Sequence, residues 1–189
     1  MIIVRYADDF VMGFQLTQDA RRMLVDLRGR WAKFKLSLHE EKTRLIEFGR
    51  LPALEHRQRG ERRPETFAFR GFTHYGGWSR DGRFVVKRKT QSKRRTAKLK
   101  SLRTEARRRM QVAVCDQHQW LCQLLRGPYQ SYGLPSNVRC LKAFYQQVRR
   151  LWFRALQRRS QRRLSWDAYD AVLQLFPLPT PRITHPCVA

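Results

Sequence analysis

Acidic residues are scarce. In 189 residues there are 15 aspartates and glutamates against 40 lysines and arginines, giving a formal net charge of +25 and a pI near 11.3. That excess is far beyond what solubility asks for. It points to a polyanionic partner whose condensed counterions are released on binding, and nucleic acid is the first candidate. Cysteine is also sparse. Cys115, Cys122, Cys140 and Cys187 show no Cys-x-x-Cys spacing, which argues against a disulfide framework and fits thiols kept reduced inside a cell. Cys115, His118 and Cys122 would share a helical face, but no fourth ligand for zinc is in sight, and ordinary helix positions are the preferred reading. Long apolar runs are missing: nothing approaches the roughly 18 residues of a membrane span, and Met1-Ile2-Ile3-Val4-Arg5 is too short for the core of a signal peptide. No membrane association and a cytoplasmic location are therefore expected. No internal repeat is evident.

Hydrophobic residues make up 42% of the chain and aromatics 12%, enough to pack the core of one ordinary domain or two small ones. The charge is uneven. Residues 1–50 carry 10 Lys/Arg against 7 Asp/Glu, and residues 51–189 carry 30 against 8. The acids are concentrated at the front, where Asp8-Asp9 sits between Met1–Arg5 and Phe10–Phe14, two short apolar runs that read as a hairpin. Successive strand side chains point to opposite faces, so neighbouring aspartates can serve one site only where the chain turns. Such a tip offers hard oxygen ligands to the metal ions that stabilise the attacking and leaving oxygens of phosphoryl transfer. The alternative is a solvated turn, which aspartate also favours.

After the hairpin, Ala20, Met23, Leu24, Leu27, Trp31 and Phe34 recur at helical spacing. Residues 36–39 and 45–49 alternate and are expected as strands; 51–66, rich in arginine with Pro52, Gly60 and Pro64, is expected as a surface loop. Phe67–Tyr75 reads as an aromatic strand ending at Gly76-Gly77, with Phe84-Val85-Val86 as its partner. Residues 80–110 hold 14 Lys/Arg and 2 acids, yet Leu99, Leu102, Ala106 and Met110 keep helical spacing beneath them. A solvated face is the usual explanation of such a run, but i,i+4 pairing cannot balance this one, and a phosphate-tracking helix is favoured. A helix through Trp120, Leu121, Leu124 and Leu125 is expected to break at Gly127-Pro128. Ser136 can cap the next, which runs from Leu141 to Leu156 with arginines on its outer face. A last helix is expected to start at Ser165 and end before Pro177, followed by a proline-rich tail. Trp31, Trp120 and Trp152 lie on apolar stripes, so core packing is preferred to base stacking.

In this order, the motifs closely resemble the reverse transcriptase/maturase proteins encoded by group II introns, over almost the whole chain. Arg5-Tyr6-Ala7-Asp8-Asp9-Phe10 looks like the catalytic palm motif, Leu36–Thr43 resembles the next palm motif, and Phe67-Ala68-Phe69-Arg70-Gly71-Phe72-Thr73-His74 is similar to the primer-grip hairpin. The resemblance implies an α+β fold, with a partial polymerase palm at 1–86, a basic helical thumb or maturase domain at 87–163, and a C-terminal helix and tail at 164–189. It implies RNA-directed DNA polymerase chemistry and intron RNA splicing by a mobile element. Asp8 and Asp9 would be two of three aspartates holding magnesium, with Asp8 the direct ligand. Lys42 would protonate departing pyrophosphate, its alternative being a surface lysine beside Glu41. Gly71 and Phe72 would hold the primer terminus. The candidate RNA-binding residues are Lys87, Arg88 and Lys89, then Lys93, Arg94, Arg95 and Lys98 on one helix, and Arg149, Arg150, Arg154, Arg158 and Arg159 on another. The implied partners are intron RNA, an RNA template and a DNA primer.

Two departures from the family stand out. Only seven residues precede Asp8, so the fingers and the strand bearing the remaining aspartate are expected to be missing. The chain alone is then expected to be inactive unless completed by a separate fingers-palm fragment or a second copy. Arg70 stands where the family usually has leucine, so it either perturbs the primer grip or faces solvent. Competing readings are a non-catalytic RNA-binding splicing cofactor and a non-functional relic.

Overall fold

A computed structural model describes residues 1–60, 65–159 and 164–186, the Arg57 side chain excepted. Part of the expected arginine-rich loop (Arg62, Arg63), the expected thumb boundary at 163 and Cys187 lie outside the described residues. The chain forms two compact units, Met1–Lys87 and Arg88–Ala189, and the described residues are mixed α+β, with two small sheets and six helices.

The first unit opens with β1 (Ile2–Tyr6) and β2 (Asp9–Gly13), an antiparallel pair in register from Ile2 opposite Gly13 to Tyr6 opposite Asp9. Two residues, Ala7 and Asp8, make the turn, with Ala7 at φ +49°. Helix α1 (Thr17–Lys33) follows; its Trp31 meets the Phe10 ring edge-on at 5.6 Å. The helix ends where Lys35 takes φ +56° and the Leu36 and Lys35 amides turn back to the carbonyls of Trp31 and Ala32, a left-handed stop usually given to glycine.

Three expectations fail in this unit. Residues 36–39 and 45–49 form no strands. Alternation produces a strand only where a neighbour takes up its backbone groups, and here the Lys42 and Thr43 amides fold back onto the His39 carbonyl. The first half of the expected loop is instead helix α2 (Arg50–Gln58). Pro52 lies in its first turn, where the missing N–H would have had no partner anyway, and Ala53 is buried. Finally, the aromatic strand expected over Phe67–Tyr75 turns back at Arg70-Gly71 and is two strands, and Gly76-Gly77 does not end the second. The second sheet runs β3 (Phe67–Phe69), β4 (Phe72–Trp78) and β5 (Phe84–Thr90), with β4 central. The glycines lie inside β4 because the Phe84 ring and the Lys87 stem cross over them; a Cβ would come within 2.8 Å and 2.9 Å of those side chains.

The second unit contains α3 (Ser92–Arg108), α4 (Val114–Tyr132), a short 3-10 turn at Pro135–Asn137, α5 (Val138–Arg159) and α6 (Trp166–Leu175). Leu102 of α3, Leu121, Leu125 and Tyr129 of α4, and Leu141, Phe144, Val148 and Trp152 of α5 share one core with Tyr169 of α6 and Leu178 of the tail. The stripes read from the sequence are therefore the packed faces. Ser165 caps α6 as expected, its hydroxyl accepting from the Ala168 amide at 3.2 Å.

Two expected helix boundaries are corrected. Helix α4 continues through Gly127-Pro128. A proline inside a helix costs about 3 kcal/mol, but Leu125 and Tyr129 on either side are almost fully buried, and burying two such side chains is worth more than that. Ser136 does not cap α5; its hydroxyl accepts from the Arg88 amide at 3.1 Å and donates to the Arg88 carbonyl at 2.9 Å. Beside it the fully buried Asn137 accepts from the Thr90 amide at 2.8 Å and donates to Tyr132 O at 2.9 Å. The tail does not simply exit. Thr184 and His185 donate their amides to the Gly133 carbonyl, and a Cβ at Gly133 would overlap Thr184.

Two buried tyrosines of this unit differ in one bond. The Tyr169 hydroxyl donates to Arg149 O at 2.9 Å, whereas the Tyr129 hydroxyl has no partner among the described residues. An unmet buried hydroxyl costs about 1–3 kcal/mol, while a made bond contributes about 1 kcal/mol. Tyr129→Phe should therefore raise stability by about 1 kcal/mol and Tyr169→Phe lower it by about as much, measured by urea unfolding. Burial pushes both phenols above their ordinary range. The folded chain then holds its protons past about pH 10, where the unfolded chain gives them up, so stability falls as pH rises beyond 10. Urea midpoints between pH 8 and 11 should show that fall, and the double phenylalanine variant should flatten it.

Candidate nucleic-acid interface and acidic turn

Asp8 lies in the turn between β1 and β2 and Asp9 opens β2; both are exposed. Neither has an ion-pair partner among the described residues. The turn is held from behind, as Arg5 Nε donates to the Ala7 carbonyl at 3.1 Å. Two free carboxylates on adjacent residues of a tight turn suit a hard dication, and magnesium typically takes one or two carboxylates and keeps several waters. Among the described residues no group of three His, Cys, Asp or Glu side chains converges, so any further protein ligand would have to come from elsewhere.

The second hairpin turn is Arg70-Gly71, with φ +49° and +79° between Phe69 and Phe72, which pair across it. Positive φ at both central residues matches the twist of a two-residue hairpin. Arg70 thus occupies the turn itself and leaves the apolar strand faces undisturbed. Its guanidinium lies 4.4 Å from the centre of the Tyr6 ring. This cation–π contact brings the tip next to Asp8-Asp9 against the tip formed by Arg70-Gly71. Phe72 lies behind, half-buried, in an aromatic cluster where the Phe67 ring stacks on His74 at 4.7 Å. Lys42 is exposed in a turn of its own, and no hydrogen bond or ion pair joins it to either tip among the described residues.

No family model, curated protein or solved structure matches this chain.

The basic residues divide by what they touch. Lys93, Arg94 and Lys98 on α3 and Arg150, Arg154 and Arg158 on α5 are exposed; Lys89 in β5 is exposed but has a contact of its own, and Arg95 is half-buried. Three others are already engaged by protein. Lys87 donates its ammonium to Trp78 O at 2.9 Å, Arg149 pairs with Asp170 at 2.9 Å, and Arg159 donates to Val112 O at 3.0 Å. Arg88 is half-buried, its backbone bound to Ser136. These four are poorly placed as primary phosphate ligands, because each would first have to surrender a protein contact or leave its cover.

Sequence reasoning missed Gln117. It is almost fully buried, accepts from Trp152 Nε1 at 3.0 Å and donates to Met110 O and Val112 O. This fixes Trp152 in the core and removes it from base stacking; nothing in a lone helical glutamine signals such a role. Trp120 is half-buried with the Arg109 guanidinium 5.2 Å from its ring centre. His118 Nε2 lies 3.2 Å from Cys122 Sγ and 2.9 Å from Pro177 O. Burial raises the Cys122 thiol pKa, opposed by Arg126, so it is a poor thiolate ligand, and Cys115 is exposed beside Asp116.

An exposed cation–π pair contributes about 0.5–1 kcal/mol. Arg70→Ala should therefore free the two tips from each other, seen as faster amide hydrogen exchange at Asp9 and Phe72, with the second unit's exchange unchanged.

Proposed function

We propose that this chain is a palm-and-thumb portion of a group II intron-type reverse transcriptase/maturase, binding structured RNA and contributing part of a magnesium-dependent polymerase site. The observation that carries the reading is the Arg70–Tyr6 contact, which sets the acidic turn beside the primer-grip-like turn. Bound magnesium would supply charge stabilisation to phosphoryl transfer. In this reading Asp8 and Asp9 offer it carboxylate oxygens, the Arg70-Gly71 turn bears on the primer end, and Lys42 faces solvent until substrate arrives. The exposed arginines of α3 and α5 hold the RNA backbone. Double-stranded RNA offers shape, phosphates and 2′-hydroxyls to such a face, with little base reading.

The hairpin's exposure supports a further protein surface. Ile2, Ile3 and Val4 of β1 are 71%, 51% and 49% exposed, so apolar groups on both faces of this strand are uncovered, and a two-stranded ribbon is marginal alone. A separate fingers-palm polypeptide would cover them and bring the third carboxylate, whereas a second copy would only cover them. A second reading, an RNA-binding splicing cofactor without catalysis, is favoured by the contrast in packing: the deep core belongs to the second unit, while among the described hydrophobic side chains of the first only Ala53 and Phe69 are buried. Among the described residues no helix is long and apolar enough to cross a membrane.

Primer extension on an RNA template, with the chain alone and with a supplied fingers-palm fragment, separates these readings. Magnesium-dependent extension only in the mixture, lost with Asp8→Ala, is the expected outcome. Extension in neither, with tight binding to structured RNA, would favour the cofactor. In either case RNA affinity should fall by at least about 100-fold between 50 and 200 mM salt; binding that ignores RNA structure would leave only the relic.

A further inference from the structure

An open groove of about 140 Å³ runs between α3 and α5. Arg103 and Arg107 come from α3, Arg154 and Arg158 from α5, and between them lie Ala106, Met110, Leu151 and Ala155. The burial pattern sets the apolar residues as floor, since they are half-buried or buried, and the four arginines as rim, since they are exposed. On each helix the two arginines are i and i+4, one above the other and about 6 Å apart along the axis. That step is comparable to the spacing of adjacent phosphates on one nucleic-acid strand.

Among the described residues no acid balances the rim. Glu105, the one acid in α3, is taken by Arg109 at 2.7 Å and Arg108 at 3.9 Å, and Asp170 is taken by Arg149. None of the four rim arginines has an ion pair among the described residues. Four like charges around one small groove repel one another, and an anion seated among them relieves that repulsion. Guanidinium forks match phosphate oxygens with two parallel bonds. The groove is open and has room for several waters, hence for a phosphate and the edge of its sugar.

We infer that the α3–α5 groove is a sequence-independent seat for the sugar-phosphate backbone of RNA, with Arg103 and Arg107 gripping from one side and Arg154 and Arg158 from the other. This rests on the RNA-binding reading above and adds two ligands, Arg103 and Arg107, and a single locus to it. The apolar floor takes the sugar edge, which a uniformly charged helix face would not offer.

The test is fluorescence anisotropy of a labelled structured RNA with the full chain, across 50–300 mM salt. R103Q/R107Q/R154Q/R158Q is compared with K100Q/R126Q/R139Q/R182Q, which removes equal charge from exposed positions elsewhere in the same unit. Glutamine keeps helix propensity, and circular dichroism checks that both variants fold. The groove variant should bind at least about tenfold more weakly than the charge-matched control, and its log K against log salt slope should fall by about 3, near 0.7 per lost contact. The quadruple Arg→Lys variant should keep the slope while losing affinity, because charge remains and the forks do not. Equal weakening of groove and control variants, with the unaltered chain still binding, would overturn the groove and leave the RNA reading intact. An unaltered chain that fails to bind RNA overturns both. Polyglutamate displacing RNA at equal charge concentration would assign the groove to acidic protein instead.

Discussion

Mutual repulsion among its cations is the constraint this protein has to satisfy first. The second unit meets it by segregation. Every apolar stripe of α3, α4 and α5 faces inward onto Val148, Trp152 and Tyr169, so the arginines are pushed to the outside, where water screens them. At the centre the aromatic rings lock together, with Trp152 edge-on to Tyr169 at 5.9 Å and Phe153 stacked on Trp166 at 3.9 Å. Gln117 accepts from the indole N–H of the buried Trp152, and Asn137 gathers the amide and hydroxyl of Thr90. A core so completed can carry a large surface charge, and that surface is what the proposed RNA binding rests on.

The first unit follows a different logic. Its two hairpins are short, its burial is thin, and β1 leaves apolar side chains in water. What gives the region a candidate function is a tertiary contact between turns rather than a packed interior. Tyr6 and Arg70 lie 64 positions apart in sequence, yet the guanidinium covers the ring. Through that contact two turns that are separate in the chain lie beside each other.

Helices with strong apolar periodicity were legible from residues alone, as were the two hairpins and the Ser165 cap, because each is a local preference that the core then reinforces. The failures were of other kinds. Residues 36–39 and 45–49 alternate, but alternation states only what a strand would bury and supplies no neighbour to bond. Gly76-Gly77 read as a stop, when the glycines make room for Phe84 and Lys87 to cross β4. Pro128 read as a break, yet the burial around it outweighs one lost helix bond. Of the candidate site, the acidic pair and the aromatic hairpin stood out in the sequence, as did the basic face. The commitment of Lys87, Arg149 and Arg159 to protein partners did not, since charge in a sequence carries no record of what it touches.

The amino-acid order by itself determined the net charge, the apolar stripes, the tight acidic turn and the concentration of acids near the front ahead of a strongly basic remainder, all properties set by composition and short-range spacing. Tertiary structure alone decided which cations are free and which are held, that Arg70 spans to Tyr6, and that Arg103 and Arg107 face Arg154 and Arg158 across one groove. The reason is that these depend on distances between residues far apart in the chain, and such distances exist only once the core has closed.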